Sequence, residues 1–246
     1  MTEIIAKDLC LHYPLKGNAH KKFVGRPSPE NLFTVGKKEY ILALRDLNFK
    51  ISQGQRVGLI GHNGSGKSTL LRVLGGIYTP TSGTIETEGK ISSLFNINLG
   101  IQPEASGREN IIIRGLVKGW RRKEIDANLE AIIDFSDLRE FIDLPIRTYS
   151  DGMRMRLLFA IATSFSPEIL LLDEWIGAGD AEFQERAADR MNSLVSKAGI
   201  TVVASHNRSL LKRVCTHCIW LENGNIIAFD EIDEVHKQYD FARAKK

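Results

Sequence analysis

A glycine-rich octapeptide between an apolar strand and a helix constrains the fold of this chain more than any other feature. Residues 61–68 read Gly-His-Asn-Gly-Ser-Gly-Lys-Ser and match the pattern G-x-x-x-x-G-K-[ST]. They follow the apolar segment 57–60 and lead into the segment 68–74, which is predicted to be helical. Glycines let the main chain wrap phosphate oxygens, and free N–H groups at a helix N-terminus face an anion. The sequence therefore predicts a phosphate-binding loop at the end of a buried strand.

Two side chains of this loop have distinct expected roles. The ammonium of Lys67 can reach the β and γ phosphates of a nucleotide, and the hydroxyl of Ser68 can ligate Mg²⁺. We expect the whole loop to contact the nucleotide. The predicted contacts are Gly61, His62, Asn63, Gly64, Ser65, Gly66, Lys67 and Ser68.

A second acidic site follows another apolar strand. Residues 169–172 read Ile-Leu-Leu-Leu and lead directly into Asp173 and Glu174. Ligands bind at the carboxyl ends of strands in open α/β sheets, so Asp173 can hold Mg²⁺ and Glu174 can polarise an attacking water as a general base. Taken alone, the two acids would fit a solvated strand end equally well. Beside a phosphate loop they predict a hydrolytic site.

Strands and helices alternate along the chain, which predicts an α/β fold with a mainly parallel sheet. The predicted strands are 4–13, 40–52, 57–60, 85–94, 169–172, 201–204, 219–222 and 226–229. Asn223-Gly224 between the last two indicates a hairpin turn. Helical patterns at 110–120, 123–135 and 137–141 predict an inserted helical subdomain. Residues 14–39 are rich in Gly, Pro and Lys and predict a long basic loop with a short hairpin tip, either a solvated excursion or a partner contact.

Cysteine usage and charge exclude several classes of site. Cys215 and Cys218 form a C-x-x-C pair, but a structural zinc needs four ligands and no second pair exists. We therefore expect buried or half-buried thiols in a reducing compartment.

The net charge of +3 is too small to imply nucleic acid by itself. No apolar run approaches the ~18 residues of a membrane span, and the first eight residues lack a signal-peptide core, so we expect a cytoplasmic chain.

Three further motifs resemble those of the ABC ATPases. Residues 149–153, Tyr-Ser-Asp-Gly-Met, resemble the family signature at the start of a helix. His206, in Ala-Ser-His-Asn after a predicted strand, resembles the switch histidine, and residues 177–180, Gly-Ala-Gly-Asp, resemble the D-loop. The resemblance implies a RecA-like core with an antiparallel β subdomain and an inserted α-helical subdomain. The implied boundaries are 1–95 and 166–246 for the core and 96–165 for the helical subdomain.

The resemblance also implies a head-to-tail homodimer that binds ATP and Mg²⁺. ATP would lie between residues 61–69 of one copy and the signature of the other, and His206 would bridge the γ-phosphate and the dimer interface. The further implied nucleotide contacts are Thr69, Ser150, Asp151, Gly152, Met153, Asp180 and an adenine-stacking aromatic. That aromatic is Tyr13 by strand context, with Tyr40 as the alternative. For the family's Q-loop glutamine, the sequence offers Asn96, Asn98 or the later Gln102.

Within the family, the chain is most similar to the ATPase subunits that export O-antigen, capsule-like polysaccharide or teichoic acid. The segments that carry this similarity are 99–104, 106–110, 149–156, 173–184 and 234–239. The chain ends shortly after them, so we expect the type without a C-terminal carbohydrate-binding domain. The resemblance implies an integral-membrane permease in two copies, a lipid-linked polysaccharide handled by that permease, no nucleic acid, and a place on the cytoplasmic face of the inner membrane.

Two other functions use the same phosphate loop. The first is an ABC-type ATPase of nucleic-acid repair or translation, a class that usually has coiled-coil insertions, zinc modules or two fused cassettes. The second is a small-molecule kinase, which would leave the signature and His206 without a purpose.

Overall fold

The computed structural model of the chain describes residues 2–15, 31–95, 100–174 and 181–244. Contacts divide the chain into two compact units. The first comprises Met1–Ser93, Pro167–Trp175 and Ala198–Lys246, and the second comprises Leu94–Ser166 and Ile176–Lys197. The subdomain boundaries expected from sequence stay predictions. Among the described residues, no helix has both the length and the apolar character to cross a bilayer.

The first unit contains all the strands found among the described residues. The strands are β1 (Glu3–Leu15), β2 (Leu32–Val35), β3 (Lys38–Ser52), β4 (Arg56–Ile60), β5 (Ser82–Glu88), β6 (Ile91–Ser93), β7 (Ile169–Asp173), β8 (Ile200–Ala204), β9 (His217–Glu222) and β10 (Asn225–Glu231). Its helices are α1 (Lys67–Leu74), α6 (Arg208–Val214) and α7 (Ile232–Ala244). The second unit is helical: α2 (Gly107–Val117), α3 (Arg122–Ser136), α4 (Asp151–Ala162) and α5 (Ala181–Lys197).

Two sheets form the first unit. An antiparallel sheet has the order β2-β3-β1-β5, and a six-stranded sheet has the order β10-β9-β4-β8-β7-β6. In the second sheet all pairs are parallel except β10 with β9. Strand β8 is buried along its whole length, as are the apolar residues of β7, which explains their continuous apolar runs. The order places β8 between β4 and β7, so their carboxyl ends meet at one edge. The predicted α/β fold is confirmed.

Two sequence expectations were wrong in detail, and one element was not predicted. The region 14–39 contains the expected short hairpin, in which β2 and β3 pair around Gly36, but residues 14–15, 32–35 and 38–39 are strand and not loop. The predicted strand 85–94 is two strands in different sheets, separated by a break that includes Gly89 with φ 129°. Helix α7 was not predicted, although its buried residues Ile232, Val235, His236 and Tyr239 follow helical spacing.

Two local predictions are confirmed. Asn223 and Gly224 have φ of 50° and 80° and join β9 to β10, as expected for a hairpin turn of the Asn-Gly type. Cys215 and Cys218 are free and buried. Burial raises the pKa of each thiol to about 12, so both stay protonated at neutral pH.

Helices α2, α3 and α4 of the second unit share an apolar core. That core includes Ile111, Ile125, Ile133, Leu157 and Ile161. Helix α2 begins at Gly107, earlier than predicted. Ser106 caps it by accepting from the Glu109 N–H, while the Glu109 carboxylate accepts from the Ser106 N–H.

Candidate active site

The phosphate loop joins the carboxyl end of the central strand β4 to the N-terminus of α1. Gly61 and Gly66 have φ of 148° and 109°, in the region that favours glycine. A Cβ on Gly61 would lie 2.1 Å from the Leu221 carbonyl oxygen, and one on Gly66 would lie 2.9 Å from that of Ala43. Neighbouring main chain therefore approaches the loop too closely for any side chain at these two positions.

The first turn of α1 has a free N-terminus. Gly66 is its N-cap, and no side chain of the described residues caps the helix. The first N–H groups thus keep their hydrogen-bonding capacity for an anion, and the helix dipole adds to it. This arrangement fits the phosphate site predicted from sequence.

Lys67 is held inside the loop. Its Nζ donates to the carbonyl oxygens of Gly61 and His62 at 2.8 and 3.0 Å, and the residue is 8% exposed. Burial lowers the pKa of Lys67, while the carboxylates of Glu174 and Asp173 act in the opposite direction. Because burial removes water from the ammonium, a phosphate that supplies negative charge at short range would stabilise it.

Ser68 and Asp173 bring together the oxygen atoms expected of a metal site. Ser68 Oγ donates to Asp173 Oδ1 at 3.2 Å, although the residues come from α1 and from the end of β7. A hydroxyl and a carboxylate are hard oxygen donors of the kind Mg²⁺ binds together with substrate phosphates. The donor set therefore fits the predicted ion. No group of three or more His, Cys, Asp or Glu side chains able to hold a metal occurs among the described residues.

Glu174 is hydrogen-bonded to the segment that carries His206. Its main chain has φ 67°, an uncommon value for a non-glycine residue, and its N–H donates to the Ala204 carbonyl oxygen at 2.8 Å. Its carboxylate accepts from Ser205 Oγ at 3.1 Å and from the His206 N–H at 3.3 Å. His206 Nε2 lies 3.9 Å from Glu174 Oε1, and both side chains are more than half exposed. Backbone strain at such a position is frequent in active sites.

One cavity of about 1000 Å³ in the first unit brings most of the predicted residues together. Its lining combines the phosphate loop with the ends of β7 and β8. The predicted residues that line it are Tyr13, His62, Asn63, Gly64, Gly66, Lys67, Ser68, Thr69, Asp173, Glu174 and His206. Other lining residues, not found from sequence, are Asn31, Arg72, Tyr78 and Asn223. Tyr78 follows α1 and carried no motif that would have marked it.

The two candidates for the adenine contact have different surroundings. Tyr13 lines the cavity, and its ring meets that of Tyr78 edge-on with centroids 5.6 Å apart. Burial raises the pKa of the Tyr13 hydroxyl, which also hydrogen-bonds Thr69. Tyr40 instead stacks on Phe33, with centroids 5.4 Å apart, and does not line the cavity. The geometry favours Tyr13.

The signature residues lie at the start of α4 in the second unit. Ser150 is the N-cap, and its Oγ accepts from the Met153 N–H at 3.2 Å. Asp151 pairs with Arg154, with Nη2 and Oδ1 2.6 Å apart. Tyr149, where the family pattern has leucine, is buried and donates its hydroxyl to the Phe141 carbonyl oxygen at 2.7 Å. The unusual first residue of the signature therefore packs inside this unit.

Several residues with predicted roles lie outside the part of the chain that the structure describes. They are Asp180 with the D-loop segment 177–180, the candidates Asn96 and Asn98, and residues 16–30 of the basic loop. Gln102 is described. Its main-chain N–H donates to Asn110 Oδ1 at 2.8 Å, and its carbonyl oxygen accepts from Asn110 Nδ2 at 3.0 Å.

The family model described as ABC transporter matches residues 44–177, which include the phosphate loop, the signature and the acidic strand. This chain belongs to the ABC transporter ATPase family. The resemblance seen in its motifs is thereby confirmed, and with it the ATPase class of the enzyme.

Relatives of this ABC ATPase extend over nearly its whole length. An O-antigen export system ATP-binding protein, RfbE of Yersinia enterocolitica, is 44% identical, covering 92% of this chain and 97% of the relative. A teichoic acids export ATP-binding protein, TagH of Listeria innocua, is 36% identical, covering 97% of this chain and 70% of the relative. A dimeric structure of a post-hydrolysis state of the ATP-binding cassette MJ0796, bound to ADP and Pi, matches with TM-score 0.66 at 20% identity, covering 93% of this chain and 98% of the other. This last likeness concerns the fold.

Proposed function

We propose that this ABC ATPase hydrolyses ATP to drive a membrane permease that exports a lipid-linked polysaccharide of the O-antigen type. One observation carries the catalytic part: a single cavity in the first unit is lined by the phosphate loop, Asp173, Glu174 and His206. The names of the relatives, which concern O-antigen and teichoic acid export, support the cargo class.

In this proposal the phosphates of ATP occupy the loop in front of α1. Lys67 exchanges its contacts with the loop carbonyls for phosphate oxygens, and the N–H groups at the start of α1 donate to them. Ser68 and Asp173 would hold Mg²⁺, which when bound neutralises the charge of the phosphates. The Tyr13 ring would stack on the adenine at the other end of the cavity.

Glu174 is the proposed general base. Its carboxylate accepts a proton from a water molecule as the water oxygen bonds to the γ-phosphorus. The bond from that phosphorus to the bridging oxygen breaks, which gives ADP and inorganic phosphate. The His206 side chain lies close to this carboxylate, which supports its proposed place beside the γ-phosphate.

A second copy of the chain would complete the site with its signature. Gly152 supports this part of the proposal, because neither its backbone conformation nor its described neighbours require a glycine there. Its φ is not positive, and an added Cβ would approach only Ser150 Oγ, at 3.9 Å, among the described residues. A helix N-terminus capped by Ser150 and open at Gly152 suits the close approach of a γ-phosphate from a partner. The proposed dimer binds two permease copies at the cytoplasmic face of the inner membrane.

The test uses affinity-tagged Glu174→Gln in its native host, with the exposed Glu86→Gln as matched control. We expect Glu174→Gln to lower ATP turnover by ~10²-fold or more, as for the loss of a general base. We also expect an ATP-dependent dimer on size exclusion and a multi-spanning membrane protein in equal amount after detergent extraction. Glu86→Gln should match the wild type in turnover.

Two results would contradict the proposal in different parts. Near wild-type turnover of Glu174→Gln would remove this residue as base. Purification with soluble, nucleic-acid-bound proteins in place of a membrane protein would favour an ATPase of repair or translation.

A further inference from the structure

Ser205 is a buried hydroxyl in direct contact with the carboxylate of Glu174. It follows the end of β8, is 4% exposed, and its Oγ lies 3.1 Å from Glu174 Oε2. It precedes His206 in the Ala-Ser-His-Asn segment, and the sequence predicts no role for it. The contact places this hydroxyl directly beside the proposed general base.

The hydrogen bonds around Ser205 determine the direction of its proton. The Asn207 N–H donates to Ser205 Oγ at 3.1 Å, so the oxygen already serves as an acceptor there. The hydroxyl proton is then available for a second partner, and the neighbouring carboxylate oxygen is an acceptor. Because the residue is buried, water does not compete for this proton.

This bond acts together with two others on the same glutamate. The Glu174 N–H donates to the Ala204 carbonyl oxygen at 2.8 Å, and the other carboxylate oxygen accepts from the His206 N–H at 3.3 Å. Each carboxylate oxygen therefore has one donor, and both donors come from consecutive residues after β8. An exposed glutamate side chain without such donors would sample several rotamers.

We infer that Ser205 is a positioning residue for Glu174, holding the carboxylate in one orientation through the hydrogen bond that its hydroxyl donates. The inference rests on the proposed role of Glu174 as base. Ser205 makes no contact with the nucleotide in this account. It acts on turnover through the glutamate, because a base must be oriented toward the water it activates.

The experiment compares Ser205→Thr with Ser205→Val in the full-length chain. The two side chains have the same shape, and only Thr keeps a hydroxyl. We expect Ser205→Val to have a kcat at least about tenfold below that of Ser205→Thr, as for the loss of a hydrogen bond to a charged group. The KM for ATP should agree between the two within about twofold, since the phosphate loop and Tyr13 are unchanged. Any strain from the added methyl group is common to both variants.

A second pair of variants separates positioning from a general disturbance of the switch segment. In the Glu174→Ala background, Ser205→Thr and Ser205→Val should have the same residual turnover, because the acceptor of the hydroxyl is gone. If the tenfold gap persists there, Ser205 acts by another route, such as the placing of His206, and the inference is overturned.

Equal kcat for the two variants with Glu174 intact would also overturn it. The failure of the proposed function would look different, because Glu174→Ala itself would then retain near wild-type turnover.

Discussion

The N–H of Gly224 donates to the carbonyl oxygen of Ser65 at 3.0 Å, which connects the β9–β10 hairpin turn to the phosphate loop. The Gly224 carbonyl oxygen in turn accepts from the Arg45 N–H at 2.8 Å. The turn therefore lies between β3 and the loop and is bonded to both. A Cβ on Gly224 would lie 2.8 Å from the Ala43 carbonyl oxygen, so only glycine fits there.

Gly224→Ala should weaken ATP binding as well as the fold. Alanine in the left-handed region costs about 1–2 kcal/mol, and the contact with Ala43 adds to that. We expect a lower midpoint of thermal unfolding and a higher dissociation constant for ATP. Gly36→Ala is the matched control, since Gly36 has φ 64° but no atom within 4 Å of an added Cβ. Unchanged ATP affinity in Gly224→Ala would show that the hairpin does not brace the loop.

Tyr13→Ala should raise the dissociation constant for ATP, because stacking of an aromatic ring on a base contributes about 1–3 kcal/mol. Tyr13→Phe keeps the ring and should retain most of the affinity. Tyr40→Ala should leave ATP affinity unchanged and lower thermal stability, since Tyr40 stacks on Phe33 away from the cavity. Binding of a fluorescent ATP analogue measures all three. The reverse pattern would assign the adenine contact to Tyr40.

Gly152→Ala should have effects of opposite sign on stability and on turnover. Alanine is favoured over glycine within a helix by about 1 kcal/mol, and the described residues leave room for its Cβ. We therefore expect an equal or higher unfolding midpoint together with lower ATP turnover and less ATP-dependent dimer. If turnover and dimer match the wild type, this glycine does not meet a partner's nucleotide.

His236 should make the fold less stable in mild acid. It is 1% exposed, and neither ring nitrogen has a hydrogen-bond partner among the described residues. Burial lowers the pKa of His236, as do Arg208 and Lys212 on α6, while Asp240 and Asp233 on its own helix act in the opposite direction. The imidazole of His236 has a pKa near 6.5 in the unfolded chain and a lower pKa in the folded chain. In mild acid the unfolded chain therefore binds this proton more strongly than the folded chain does.

The stability of the wild type should consequently fall as the pH drops below about 6.5. Denaturant unfolding at pH 7.5 and pH 5.5 measures this, and His236→Leu should reduce the difference between the two values. Asp233 and Asp240 do not interfere, since their partners Lys212 and Arg208 hold the pKa of each carboxyl below its usual range. If His236→Leu loses as much free energy of unfolding between these pH values as the wild type does, another group is responsible for the effect.

Local patterns predicted much of the site. The spacing of Gly61, Gly66 and Lys67 specifies a loop whose conformation depends on positive φ and on the following helix. The apolar run before Asp173 predicts a buried strand that ends in acids. Such features could be found from sequence because each depends on a few consecutive residues and on backbone preferences.

Contacts between distant segments could not be predicted in this way. The hydrogen bonds of Ser205 with Glu174 and of Gly224 with Ser65 arise from neighbours in space, although the Asn223-Gly224 turn itself was predicted. The split of 85–94 into two strands and the pairing of β2 with β3 likewise depend on which sheet each segment joins. In contrast, α7 has an apolar spacing that indicates a helix from the sequence alone.

By itself, then, the sequence determined the α/β class, the phosphate loop, the acidic strand end and the hairpin turn at Asn223-Gly224, because these follow from local chain geometry. The tertiary structure decided which residues share one cavity. The strand order β4-β8-β7 brings Lys67, Glu174 and His206 to the same sheet edge, and Tyr13, rather than Tyr40, lines the same cavity from β1 of the antiparallel sheet. That order depends on pairing between strands that are distant in the sequence, so no single segment determines it.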